Sequence, residues 1–195
     1  MLLSELVDAS EAVRSTRSRT AKVAAVAAAL GAARGDAEQV RIASAYLSGA
    51  LRQRRTGLGW RSLTDLPPAA TAQTLALTDV DAAFARIAAE TGDGSQARRT
   101  ASVTSLFARA TAAEQRFLRA LVTGELRQGA LDGVMLDAVA IAGDVSAGAV
   151  RRAAMLSGST QEAAVAALTG GEPGLAAIGL EVGRPLRPML ASSAP

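Results

Sequence analysis

Gly124-Glu125-Leu126-Arg127-Gln128-Gly129 repeats, 75 positions on, the phrase Gly49-Ala50-Leu51-Arg52-Gln53. The surroundings repeat as well. Ala-Glu-Gln precedes each copy (Ala37 to Gln39, Ala113 to Gln115), and Arg-Thr-Ala-x-Val stands further upstream (Arg19 to Val23, Arg99 to Val103). A glycine step follows each, Gly57-Leu58-Gly59 and Gly129-Ala130-Leu131-Asp132-Gly133. Landmarks kept in order with small gaps mark two copies of one helical unit. Two copies make a duplicated lobe rather than a solenoid, which needs three or more. Repeat one is expected over about 14–66 and repeat two over about 92–140.

The rest of the chain agrees with an all-α reading. Of its 195 residues 49% are hydrophobic but only 3% aromatic, and alanine, the best helix former, dominates. With no cysteine and no histidine, disulfide frameworks, thiolate zinc sites, Ser-His-Asp triads and histidine-bound metals are excluded. Glu5, Asp8 and Glu11 come before the first cation, the reverse of a signal peptide. The longest apolar run, Val23 to Ala33 between Lys22 and Arg34, falls short of the roughly 20 residues a bilayer span needs. A cytoplasmic protein is expected.

Helices are expected from Leu2 to Val13, from about Thr20 to Ala33, and from Asp36, whose Asp36-x-x-Gln39 resembles a capping box. Trp60 to Leu66 reads as one short helix. Pro67-Pro68 through Leu77 is linker-like. Thr78-x-x-Asp81 opens a helix to about Glu90, Ser95 one to Ala110, and Thr111-x-x-Glu114 is a capping box for the next. Helices around Val134 to Ile141, from Ser146 to Leu156 and from Ser159 to Leu168 follow. After Gly170-Gly171 the chain is expected to leave the helical body, extended at Leu180 to Gly183 and non-helical through Pro185 and Pro188. Residues 1–183 form the helical domain in this reading and 184–195 a linker.

Net charge is only +3, but it is unevenly placed. No acid lies between Glu11 and Asp36, where Arg14, Arg17, Arg19, Lys22 and Arg34 fall. None lies between Glu38 and Asp65, where Arg41, Arg52, Arg54, Arg55 and Arg61 fall. Acid-free basic windows point to a polyanion, or to an ordinary solvated face.

Two kinds of site follow. Helix N-termini present unpaired amides and the positive dipole end, which suit phosphate. Thr16, Arg17, Ser18, Arg19 and Lys22 surround one such junction. Gly94, Ser95 and Gln96, with Arg98 and Arg99, surround the other. Simple capping is the competing reading. The second kind is the repeat phrase, a helix C-terminus turning into a tight loop on glycine. Here Gly49, Arg52, Gly57 and Gly59 of one copy match Gly124, Arg127 and Gly129 of the other. Arg52 and Arg127 would project toward the two strands of a duplex; alternatively the glycines only pack helices and Arg127 pairs with Glu125 or Asp132.

Taken together, these phrases resemble the N-terminal DNA-binding domain of bacterial and archaeal-type ATP-dependent DNA ligases. The resemblance runs through Ser15 to Val23, Tyr46 to Gln53, Gly57 to Trp60, Gly92 to Gln96, Gly124 to Gly129, Val150 to Leu156 and Gly183 to Ala191. It implies an all-α domain with internal pseudo-two-fold symmetry, a C-terminal helical segment and an extended exit. It also implies binding of nicked double-stranded DNA through the minor groove without sequence preference, in DNA repair, replication or recombination. Adenylation and OB-fold domains of the same parent chain would use ATP and Mg²⁺. The nucleophilic Lys-x-Asp-Gly of such enzymes is absent: the one lysine lies in Ala21-Lys22-Val23. The expectation is a DNA-binding domain alone, inactive by itself and with no cofactor of its own. The alternative from another class is a helical protein-interaction scaffold without nucleic-acid binding.

Overall fold

The computed structural model describes residues 1–53, 55–126 and 131–186, and for Leu131 the backbone only. Among these, nine α-helices and one 3-10 turn occur and no strand. They are α1 (Leu3–Ser15), α2 (Arg19–Ala32), α3 (Ala37–Leu47), α4 (Leu77–Ala89), α5 (Ser95–Ala108), α6 (Ala112–Thr123), α7 (Leu131–Gly143), α8 (Ala147–Ser157) and α9 (Thr160–Ala176), with the 3-10 turn at Trp60–Leu63. The protein is all-α.

The helix lengths carry the duplication further than the phrases do. The first three helices have 13, 14 and 11 residues, and the next three have 13, 14 and 12.

The chain forms two compact units, each discontinuous in sequence. The first holds Met1–Arg17 and Ala45–Gly129, the second Ser18–Ser44 and Ala130–Pro195. In the first unit α1 packs on α6 and α4 on α5. Leu3, Leu6, Val7 and Val13 of α1 recur at helical spacing and are buried. Val80, Phe84 and Ile87 of α4 and Phe117, Leu118 and Leu121 of α6 are buried too. In the second unit α2 packs on α7, which also meets α8 and α9. Alanines at 153, 154, 163, 164 and 167 allow the close approach of α8 and α9.

Caps set most helix starts as the sequence predicts. Thr111 Oγ1 accepts from the Glu114 amide at 3.4 Å, and Glu114 accepts in return from the Thr111 amide at 2.7 Å. Ser18, Ser146 and Ser159 accept from Ala21, Ala149 and Glu162. Asp36 accepts from the amides of Glu38 and Gln39, each at 3.0 Å.

Four expectations need correcting. Thr78 does not cap α4, which starts at Leu77 after Ala76. Its first amide is satisfied by distant backbone instead: the Leu77 N–H donates to the Met1 carbonyl at 3.2 Å, and the Leu3 N–H donates to the Leu75 carbonyl at 2.9 Å. Leu2 and Ala76 thus form an antiparallel bridge that starts α1 and α4 together. Second, the linker-like stretch is fastened down. The Ala70 N–H donates to the Ala110 carbonyl at 2.9 Å, and Gln115 donates from its side chain to the Pro67 carbonyl at 3.1 Å.

Third, α9 does not end near Leu168. Gly171 breaks it (φ 59°, ψ −150°), and a further helical turn runs to Ala176 with Pro173 near its start and Leu175 buried. Proline is tolerated there because the first amides of a helix have no intrahelical acceptor. Fourth, the segment expected to be extended at Leu180 to Gly183 instead turns at Val182-Gly183, closed by the Arg184 N–H donating to the Glu181 carbonyl at 3.1 Å.

Candidate nucleic-acid interface

Both repeat phrases begin on the same backbone device. After α3 the Gly49 amide donates to the Tyr46 carbonyl at 2.9 Å and the Ala50 amide to the Ala45 carbonyl at 3.0 Å. After α6 the Gly124 amide donates to the Leu121 carbonyl at 3.4 Å and the Glu125 amide to the Ala120 carbonyl at 2.8 Å. Gly49 (φ +76°) and Gly124 (φ +70°) take the left-handed conformation that closes such a Schellman turn. A Cβ on Gly49 would stand 2.9 Å from the Leu126 carbonyl oxygen, whereas nothing lies within 4 Å of the corresponding point on Gly124. The two phrases therefore meet, and only one of the glycines is needed for the meeting.

Arg52 does not project. Its guanidinium donates to Asp81 of α4 at 2.9 Å. The buried Asp81 also accepts from the Tyr46 hydroxyl at 3.2 Å and the Gln53 amide at 3.2 Å. The phrase is clamped to α4 by this cluster, and burial, with the Asp81 charge second, pushes the Tyr46 phenol up. Arg127 and Gly129, the matching residues of the second copy, lie outside the described residues, as does Arg54.

The loop after the first phrase and the end of α6 enclose a groove of about 590 Å³, lined by Leu51, Gln53, Arg55 to Leu58, and Leu121 to Gly124. Gly57 also leaves room for Arg99: a Cβ there would stand 3.2 Å from its guanidinium carbon. Arg99 donates to the Glu90 carbonyl. Arg98 donates to the Glu90 carboxylate at 2.6 Å and to the Asp93 and Thr91 carbonyls, each at 2.9 Å. The two arginines expected beside a phosphate at the start of this helix thus close the loop before α5. Gly94 opens α5 without a side-chain cap, followed by Ser95 and the exposed Gln96. Gly59 precedes the 3-10 turn in extended backbone. Thr16 ends α1, and the exposed Arg17 follows it.

In the second unit, Ser18 caps α2 and Arg19 is its first residue. Arg19 donates to Asp137 at 2.7 Å, and Arg151 of α8 donates to the same carboxylate at 2.5 Å. One carboxylate is thus shared by two arginines. Lys22 is partly exposed, one turn along α2. Capping is what the structure gives at Ser18, with the cations held beside it.

Sequence reasoning passed over some of the cations that have no acid partner. Among the described residues Arg17, Arg55, Arg61, Arg86 and Arg116 of the first unit and Arg34 and Arg152 of the second are exposed and make no ion pair. The two acid-free windows pointed to Arg17, Arg34, Arg55 and Arg61, but not to Arg86, Arg116 or Arg152.

Residues 50–140 match the family described as DNA ligase N terminus. A probable DNA ligase of Kineococcus radiotolerans is 57% identical over 99% of this chain. Probable DNA ligases of a Nocardioides species and of Mycolicibacterium vanbaalenii are 54% and 52% identical over all of it. The chain belongs to the DNA ligase N-terminus family. It spans 39%, 39% and 37% of the length of those three relatives. No group of three or more acids is placed to hold a metal ion among the described residues. The one lysine, Lys22, lies in Ala21-Lys22-Val23 with no Asp-Gly after it. No helix among the described residues is long and apolar enough to cross a membrane.

Proposed function

We propose that the chain binds duplex DNA without sequence preference, and that in the whole ligase it holds the minor groove around a nick. The observation that carries this reading is the meeting of the two repeat phrases, Gly49 against Leu126, in a unit whose nearby groove is lined by Arg55, a cation with no ion pair among the described residues. Duplex DNA offers regularly spaced phosphates, and affinity from such contacts is electrostatic and independent of sequence. The similarity to probable DNA ligases supports the same ligand. In this reading ATP and Mg²⁺ act at an adenylation domain of the same parent chain. That domain and an OB-fold domain close around the duplex during repair, replication or recombination, in the cytoplasm at the nucleoid.

Anisotropy titrations with nicked and intact duplexes of two unrelated sequences, across salt, test it. Affinity falls with salt at a logarithmic slope of about −0.9 per phosphate contacted. Arg55→Ala, Arg61→Ala and Arg116→Ala each make that slope shallower by about one contact. An interaction indifferent to salt, or confined to one of the sequences, overturns the proposal.

A further inference from the structure

Trp60 is the single tryptophan of the chain, and it is 56% exposed. The exposure is not that of a loose end. Trp60 opens the 3-10 turn Trp60–Leu63, and Leu63 anchors that turn at 2% exposure. Arg119 of α6 places its guanidinium carbon 5.2 Å from the centre of the ring. This is a cation–π distance, which fixes the ring while leaving over half of the residue in water.

The neighbours are cationic. Arg61 is next in sequence, Arg55 stands on the same loop, and Arg116 is one turn before Arg119 on α6. Arg55, Arg61 and Arg116 make no ion pair among the described residues. The nearby acid Glu11 is engaged by Arg14 at 2.5 Å. The groove described above is lined by neighbours of Trp60 and of Arg119 along the chain. Leu58 lines it two residues before Trp60, and Val122 and Thr123 line it one turn after Arg119 on the same side of α6. A large apolar ring held by one cation, with unpaired cations beside it in sequence and one helical turn from its partner, complements a surface of sugars and base edges bordered by phosphates.

We propose that Trp60, held by Arg119, is an apolar contact to the minor groove of duplex DNA, a role that rests on the DNA-binding reading above. Aromatic and aliphatic side chains that enter that groove bind by packing and unstacking rather than by charge. The contact therefore adds affinity that does not vary with salt.

The chain as it stands supplies the probe, because all tryptophan emission comes from Trp60. An unlabelled nicked duplex is titrated in while emission and acrylamide quenching are read, beside anisotropy of a labelled duplex. Emission changes and acrylamide protection follow the anisotropy curve. Trp60→Ala weakens binding about tenfold at every salt concentration, with the slope unchanged, while its circular dichroism matches the parent. Binding seen by anisotropy with Trp60 emission and accessibility unchanged overturns the contact and leaves the DNA-binding reading standing. Absence of any anisotropy change overturns both. A blue shift with anionic vesicles but none with DNA assigns the ring to a lipid surface and overturns the proposal.

Discussion

Gly49 lies against the carbonyl of Leu126, at a distance where an added Cβ would approach the oxygen to 2.9 Å. The first residue of one repeat phrase thus supports the third residue of the other. The glycine at the equivalent place in the second phrase, Gly124, faces open space. The two copies share a backbone conformation and differ in what surrounds it.

That difference orders two mutants. Gly124→Ala carries only the cost of a left-handed alanine, about 1–2 kcal/mol. Gly49→Ala carries the same cost plus a backbone clash, for which overpacking elsewhere costs about 1–3 kcal/mol. Urea unfolding should therefore rank Gly49→Ala below Gly124→Ala, both below the parent. Equal midpoints would show that the Leu126 carbonyl moves away freely.

Removing Arg52 leaves the buried Asp81 without its cation. Arg52→Ala is expected to lower stability by about 1.5–3 kcal/mol. Adding Asp81→Asn recovers part of that, because a neutral amide oxygen still accepts from Tyr46 and Gln53. A double mutant no more stable than Arg52→Ala alone in urea unfolding would contradict this account of the cluster.

Alkaline pH tests the same cluster from the other side. Tyr46 is the only tyrosine, and its folded phenol is raised above the ordinary value of 10.0 by burial and then by Asp81. A group raised on folding contributes stability that is fully present below its unfolded pKa and is lost as pH climbs past it. Stability should hold up to about pH 10 and fall above it. Tyrosinate absorbance then appears together with loss of the helical circular dichroism signal. Absorbance that rises while the helices remain intact would refute the assignment.

Incubated with labelled ATP and Mg²⁺, the chain should acquire no covalent AMP and leave nicked DNA unsealed, since no lysine stands before Asp-Gly. A labelled band that disappears in Lys22→Ala would reverse the reading.

Local chemistry was the legible part of this fold. Thr111 with Glu114, Ser18, Asp36 and the two glycine turns act within five residues of themselves, so spacing alone exposed them. What escaped depends on partners far along the chain. The start of α4 is set by Met1, and Arg52 is held by Asp81 on that same helix. Arg98 and Arg99 look like phosphate ligands until the carbonyls of the preceding loop are seen to take them. The continuation of α9 was hidden because Gly170-Gly171 and Pro173 resemble a terminus, although proline suits the first turn of a new helical stretch. Exposure of Trp60 left no sequence signal, since large aromatics are generally buried.

The bridge between Leu2 and Ala76 obeys a simple exchange rule. Shifting residue numbers by 74 turns the bond from Leu3 to Leu75 into the bond from Leu77 to Met1. Each partner gives to the other what it receives, which is the rule of an isologous contact between identical subunits. Two separate molecules, each carrying one set of three helices, would make both bonds with one another by the same rule. Joining the two copies end to end would preserve that dimer contact inside a single polypeptide and free each half to diverge, as Gly49 and Gly124 have done.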